Sequence, residues 1–271
     1  MSNPLKAAER LLTENIRIEF TPPLAEIILD QPQRRNALSQ DMWAALPARI
    51  AEANAHPDVK VILLHGGGNG VFAAGADISE FPVIYAAPEA ARASGRIIEQ
   101  ALGAIEASAK PVIAAIEGAC IGGGVSLAVA ADLRISTSTA SLGITPARLG
   151  LVYPPADILR LVRLVGPGTA KRLLFTGRIF SSTEAHAMGL VDEITEDAGI
   201  LPAARALALE IAAQSQWSVR ATKRLMRSFE EGLAADAPEA TELFVEGFAN
   251  PDFAEGVSAF LGKRKPEWRV K

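Results

Sequence analysis

The sequence predicts an α/β protein with a helical C-terminal region, on three observations. Up to about residue 195, short apolar runs of strand type alternate with longer helical segments, the pattern of a sheet with crossover helices. Within that part, residues 111–132 join an apolar run (112–116), a turn at Gly118, the triplet Gly122-Gly123-Gly124 and a small, breaker-free helical segment (125–131). Beyond residue 200 every long segment reads as helix.

The glycine stretch is the piece around which the rest is arranged. A strand, a glycine loop and a helix N-terminus leave unpaired backbone N–H groups at the positive end of a helix dipole. Glycines there let another group approach the backbone with no Cβ in between. Such a place receives an anion, or an oxygen that becomes one during a reaction.

The elements follow in order. After a polar start, residues 16–20 alternate like a half-buried strand, Thr21-Pro22-Pro23-Leu24 turns, and residues 25–29 form its hairpin partner. A loop with adjacent Arg34 and Arg35 leads to Ser39, which caps a helix running to about Asn54. Residues 59–65 are a third strand, closed by glycines 66–70, and residues 71–78 form a tight loop. A helix over 89–107 leads into the glycine stretch, and 133–136 is another short strand. Helices are then expected over 156–165, 169–176, 183–188, 200–215, 219–231, 239–248 and 253–263, with one strand at 190–194. The boundary between an α/β part (1–195) and a helical part (196–271) has no Gly-, Ser- or Pro-rich linker.

Composition narrows the function classes. With 49% hydrophobic and 21% charged residues, wholesale disorder is excluded. A net charge of -4 argues against a general nucleic-acid binder. The single cysteine, Cys120, excludes an internal disulfide framework and suits a reducing compartment. The first ten residues carry no apolar core of signal-peptide length, and the apolar stretch 118–131 is too short to span a bilayer. A cytoplasmic protein with no membrane partner is the expectation. Glycines 66–70 lack the Lys-Ser/Thr of a P-loop, and no His or carboxylate cluster has ligand spacing, so neither a nucleotide loop nor a metal is expected.

Several motifs, in their order and spacing, resemble the crotonase (enoyl-CoA hydratase/isomerase) superfamily over nearly the whole chain. They are Arg35-Asn36-Ala37-Leu38, residues 72–78, 110–118, Gly122-Gly123-Gly124, 173–178, 185–191 and 260–266. The resemblance implies a crotonase-like α/β fold, a stacked ββα superhelix with a C-terminal helical extension that builds homotrimers or dimers of trimers. It implies an acyl-CoA substrate whose thioester oxygen is held by the N–H groups of Ala76 and Gly123. It also implies CoA contacts along Arg35, Ala37, Leu38, Ala74, Asp77 and Ile78, with Lys263 as a C-terminal basic position. Coenzyme A enters as part of the substrate, and no permanently bound cofactor is expected.

The same resemblance marks a departure. Hydratases of the family carry two glutamates that hold water; at those positions this chain has Ser126 and Pro146. A hydroxyl with a pKa far above neutrality is no substitute for a carboxylate base, and proline substitutes for nothing. The loop 144–153 instead resembles that of methylmalonyl-CoA decarboxylase-like members, whose tyrosine matches Tyr153. Decarboxylation makes an enolate without a base, so Tyr153 as proton donor would suffice. Relocated acids are the other route, with Glu80 and Asp157 as candidates.

Each of these residues also has a plainer reading. Tyr153 packs in a loop, Ser126 bonds back to its helix, Asp157 caps the helix after Pro154-Pro155, Glu80 is solvated, and Asp77 holds the turn at Gly75. Cys120 reads as a small buried residue and His65 as a structural one. Three functions stay open: a hydratase or isomerase, a malonyl-type decarboxylase, and a non-catalytic acyl-CoA binder.

Overall fold

The computed structural model describes residues 15–196 and 199–269. The polar start and the absence of a signal sequence, read from residues 1–10, concern residues outside that range.

Two sheets form the α/β part. The larger has the order β1 (Ile16–Thr21), β2 (Leu24–Leu29), β3 (Val61–His65), β5 (Val112–Ile116), β7 (Leu133–Thr137), β10 (Glu193–Thr195). The first pair is the expected antiparallel hairpin and the remaining pairs are parallel. The smaller has the order β4 (Val71–Ala73), β6 (Ala119–Ile121), β8 (Ser141–Gly143), β9 (Ile179–Ser181). Sequence periodicity misses all four of these strands, because three residues are too few to display a period of two.

Helices connect the strands. α1 (Gln40–Ala55) begins at Ser39, whose side chain accepts from the Met42 N–H as the sequence predicts. The short α2 (Phe81–Ile84) and the long α3 (Pro88–Glu106) follow, then α4 (Gly123–Ala130) directly after β6. α5 (Pro155–Thr176) contains the two helices expected from sequence, joined by a kink at Gly166, where φ is 75°. α6 (Ser182–Ala187) opens with a capping box between Ser181 and Glu184.

The parallel strands read as continuous apolar runs because both faces are covered. Ile62 and Leu64 of β3, with Val112, Ala114 and Ile116 of β5, face a core that includes Trp43, Phe72 and Phe180. The alternate residues Val61, Leu63, Ile113 and Ala115 meet α7 (Ile200–Ala212) through Ile200, Ala204, Ala208 and Ala212. That four-residue spacing makes one stripe along α7, and its alanines let the helix lie close to the sheet. α7 therefore shares the core of the strands, although it follows the boundary drawn from sequence.

α8 (Gln216–Glu230), α9 (Pro238–Ala249) and α10 (Pro251–Leu261) complete the chain. They leave Phe244, Phe248, Phe253, Val257, Phe260 and Leu261 exposed. Among the described residues no helix is long and apolar enough to cross a membrane.

Candidate active site

The smaller sheet carries the site. β4 delivers the chain into the turn Ala74-Gly75-Ala76-Asp77, and Gly75 has a φ of 113°, which a residue with a Cβ rarely adopts. Leu38 laces to this turn: its N–H donates to the Gly75 carbonyl at 2.7 Å, and its carbonyl accepts from the Asp77 N–H at 2.9 Å. In such a parallel bridge the middle residue, Ala76, turns its own N–H away from Leu38. Gly123 is the first residue of α4, so its N–H has no carbonyl a turn earlier in the helix. A Cβ built on Gly123 would lie 3.8 Å from the Ala76 nitrogen, 3.0 Å from Trp43 Cζ2 and 3.2 Å from Leu38 Cδ1. The two amides predicted from sequence are thus neighbours, at a position where glycine keeps the approach open.

Asn36 holds the arrangement, and nothing in the sequence reading singled it out. It is fully buried in a left-handed conformation, and its side-chain amide donates to the Val71 carbonyl at 2.9 Å and the Phe72 carbonyl at 3.2 Å. Its Oδ1 accepts from the Gln31 N–H at 2.9 Å. One short side chain so ties the Arg35–Leu38 segment to β4, and the Ala74 N–H adds a bond to the Arg35 carbonyl at 3.0 Å.

Three of the candidate side chains meet behind Gly123. Ser126 Oγ lies 2.6 Å from the Tyr153 hydroxyl and 2.6 Å from Asp157 Oδ2. The Tyr153 hydroxyl donates to the carbonyl of Gly122, the residue before Gly123, at 3.0 Å. All three are buried. Burial pushes the Asp157 carboxyl above its usual range, against the opposing pull of Ser126 and Arg160. Burial raises the Tyr153 phenol well above its ordinary value, and ionisation of the neighbouring Asp157 raises it further. The expectation that Asp157 merely caps its helix is corrected: Pro154 occupies the cap position, and Asp157 points inward to Ser126 and Arg160. Tyr153 and Ser126 likewise bond to each other, beyond simple packing or back-bonding.

Arg160 is the member that sequence reasoning missed. Its Nη1 donates to Asp157 Oδ1 at 3.0 Å, and its Nη2 donates to Glu99 at 2.8 Å and Glu106 at 2.8 Å, both on α3. An arginine three residues after an aspartate on a predicted helix was the available signal.

The remaining candidates are placed elsewhere. Glu80 is half-buried rather than simply solvated, and its Oε2 accepts from the Gln40 N–H at the start of α1, at 2.8 Å. Asp77 accepts from the Ser79 N–H, so its side chain does bond the chain at this turn, and it pairs with Arg34. The Ser79 bond and then Arg34 hold its carboxyl below the usual range. Arg35 and Ile78 are exposed, Ala37 and Ala74 half-buried and Leu38 buried, all around the turn. Lys263 is exposed, two residues beyond α10, and among the described residues no hydrogen bond or ion pair ties it to the Ala76–Gly123 pair. Cys120 is buried, and His65 bonds Glu26 inside the sheet at 3.0 Å. No group of three His, Cys, Asp or Glu among the described residues is placed to hold a metal.

A small, mostly parallel sheet that presents two adjacent amides, beside a larger, mostly parallel sheet, defines the class as the crotonase fold. A family model described as enoyl-CoA hydratase/isomerase matches residues 19–271, and the chain belongs to that family. It is 36% identical over 262 residues to a crotonyl-CoA hydratase of Syntrophomonas wolfei, covering 95% of this chain and 99% of the relative. It is 32% identical over 257 residues to a short-chain-enoyl-CoA hydratase of Clostridium acetobutylicum, covering 93% and 97%. A crystal structure of an enoyl-CoA hydratase/isomerase family protein from Hyphomonas neptunium superposes with a TM-score of 0.93 at 60% identity, covering 96% of this chain and 99% of that one.

Proposed function

We propose that this chain is an enzyme that binds an acyl-CoA thioester and stabilises its enolate oxygen between the N–H groups of Ala76 and Gly123. The observation that carries this reading is the 3.8 Å approach of the Ala76 nitrogen to the Gly123 Cβ position, at the open N-terminus of α4. Removing one such donor from an oxyanion site costs roughly 3 kcal/mol of transition-state stabilisation. The nominal reaction is addition of water to a 2-enoyl-CoA, or movement of its double bond. CoA lies along Arg35, Ala37, Leu38, Ala74, Asp77 and Ile78, and Lys263 reaches its phosphates from a neighbouring subunit. No permanent cofactor is required.

Ser126, Tyr153 and Asp157 stand in for the glutamates that the family places at the positions of Ser126 and Pro146. A second reading, decarboxylation of a malonyl-type CoA, is favoured by the Tyr153 hydroxyl, which is anchored one residue from Gly123. Assembly into a homotrimer or a dimer of trimers fits the exposed aromatic side chains of α9 and α10.

The test is a panel of 2-enoyl-, 3-enoyl- and malonyl-type CoA esters, assayed for turnover and for thermal stabilisation. Turnover of one class, abolished by Gly123→Ala, supports the reading and selects the reaction. Stabilisation without turnover of any ester replaces it with a non-catalytic acyl-CoA binder. No stabilisation at all overturns it.

A further inference from the structure

The contacts behind Gly123 form a series: Asp157 Oδ2 to Ser126 Oγ at 2.6 Å, Ser126 Oγ to Tyr153 OH at 2.6 Å, and Tyr153 OH to the Gly122 carbonyl at 3.0 Å. Each separation is a hydrogen-bond distance, and each bond needs one hydrogen. Gly122 O can only accept, so the Tyr153 hydrogen is committed to it. Ser126 must then donate to Tyr153, and the hydrogen on the third contact must come from Asp157. With an ionised Asp157 only two hydrogens serve three contacts, and one short oxygen–oxygen approach is left repulsive. The space bounded by Val125, Ser126, Val129, Tyr153, Asp157 and Arg160 leaves no room for a water-sized sphere, so no solvent molecule relaxes the count.

We propose that Asp157, Ser126 and Tyr153 act as one relay that stores a proton, with Asp157 resting as a neutral carboxylic acid. Charge counting agrees. Among the described residues Arg160 is the cation paired with Asp157, and it already serves Glu99 and Glu106 from α3. An ionised Asp157 would put a third carboxylate on a single guanidinium. The raised Asp157 pKa points the same way. From the loop side Tyr153 and from α4 Ser126 complete its surroundings, with the neutral Cys120 near Tyr153.

The catalytic consequence rests on the acyl-CoA reading above. When the enolate α-carbon takes the Tyr153 proton, Ser126 passes its hydrogen to Tyr153 and Asp157 passes its own to Ser126. Asp157 is left ionised beside Arg160. In hydration the water oxygen first bonds the β-carbon, which makes the enolate and leaves that oxygen carrying two hydrogens. Once the α-carbon is protonated, one of these returns through Tyr153 and Ser126 to Asp157, so one proton leaves the relay and one returns. Asp157 is the storage and positioning residue, and Tyr153, whose hydroxyl bonds the carbonyl of Gly122 beside Gly123, is the end of the relay nearest the two amides.

The protonation state is testable without any substrate. In full-length protein labelled with 13C at aspartate carboxyl carbons, the Asp157 resonance, assigned by its loss in Asp157→Asn, is expected at the protonated position at pH 7. An ionised Asp157 at pH 7 overturns the proposal, whether or not the panel finds a substrate. On the ester that is turned over, Asp157→Asn keeps a donor for Ser126 yet stores no transferable proton. It is expected to retain thermal stabilisation by that ester, lose on the order of 100-fold in turnover and lose the pH dependence of kcat. Ser126→Ala, should Asp157→Asn fold poorly, is expected to lose as much, with a double variant no worse than either single one. Wild-type turnover in either variant also overturns the relay.

Discussion

A Cβ added at Gly124 would stand 2.7 Å from the Ala73 carbonyl oxygen, a backbone atom that has little freedom to move. Gly124→Ala is therefore expected to destabilise the fold by about 1–3 kcal/mol, read as a lowered urea midpoint. At Gly123 the tight contacts of an added Cβ are with side chains, those of Trp43 and Leu38, and the Ala76 backbone nitrogen is at 3.8 Å, so Gly123→Ala has a smaller expected stability loss and a larger loss of turnover. Comparing the two variants separates packing from chemistry. A second prediction concerns Glu26, buried between His65 and Arg205. The His65 bond first, with Arg205, lowers its pKa from 4.5 to about 2 in the folded state. A depressed carboxylate pKa adds stability that is fully present above the unfolded value and lost as pH falls through the folded one. Unfolding free energy should drop by roughly 3 kcal/mol between about pH 5 and pH 2, and Glu26→Gln should flatten that interval.

At the scale of elements, one guanidinium joins two helices. Arg160 on α5 spans to Glu99 and Glu106 on α3 while bracing Asp157 on its own helix. Arg160→Met removes a shared donor whose Glu99 and Glu106 partners stay partly exposed, and is expected to cost about 1–3 kcal/mol in denaturant unfolding. A second element-scale feature is the division of labour between sheets. The long strands of the larger sheet, covered on both faces, supply the rigid frame. The three-residue strands β4 and β6 end at the turns that hold Ala76 and Gly123. A site carried on short strands is positioned by its frame and by Asn36 rather than by its own pairing.

For the whole molecule, the exposed phenylalanines of α9 and α10 border a cavity of about 610 Å³ between them and α8. If this surface mediates the proposed assembly, Phe260→Glu should shift the sedimentation of the protein toward the monomer and leave its far-ultraviolet dichroism unchanged. An unaltered oligomer would remove this surface from the assembly.

Contiguous signals were legible: the hairpin, the Ser39 cap, the strand–glycine–helix stretch, and the motif around Arg35-Asn36-Ala37-Leu38. Each lies within one window of chain, where period and turn chemistry suffice. By itself, the sequence determined the α/β class and the family resemblance, and it pointed to Ala76 and Gly123, which the fold brings together. Only the tertiary structure decided which of the candidate side chains lie together. Glu80, four residues past Ala76, is drawn off to the start of α1, whereas Asp157, thirty-four past Gly123, is brought behind it through Ser126. The Arg160 contacts to Glu99 and Glu106 join residues 61 and 54 positions apart. Proton sharing depends on separations of a few ångströms between such distant residues, and those are set by how helices cross, which no local pattern encodes.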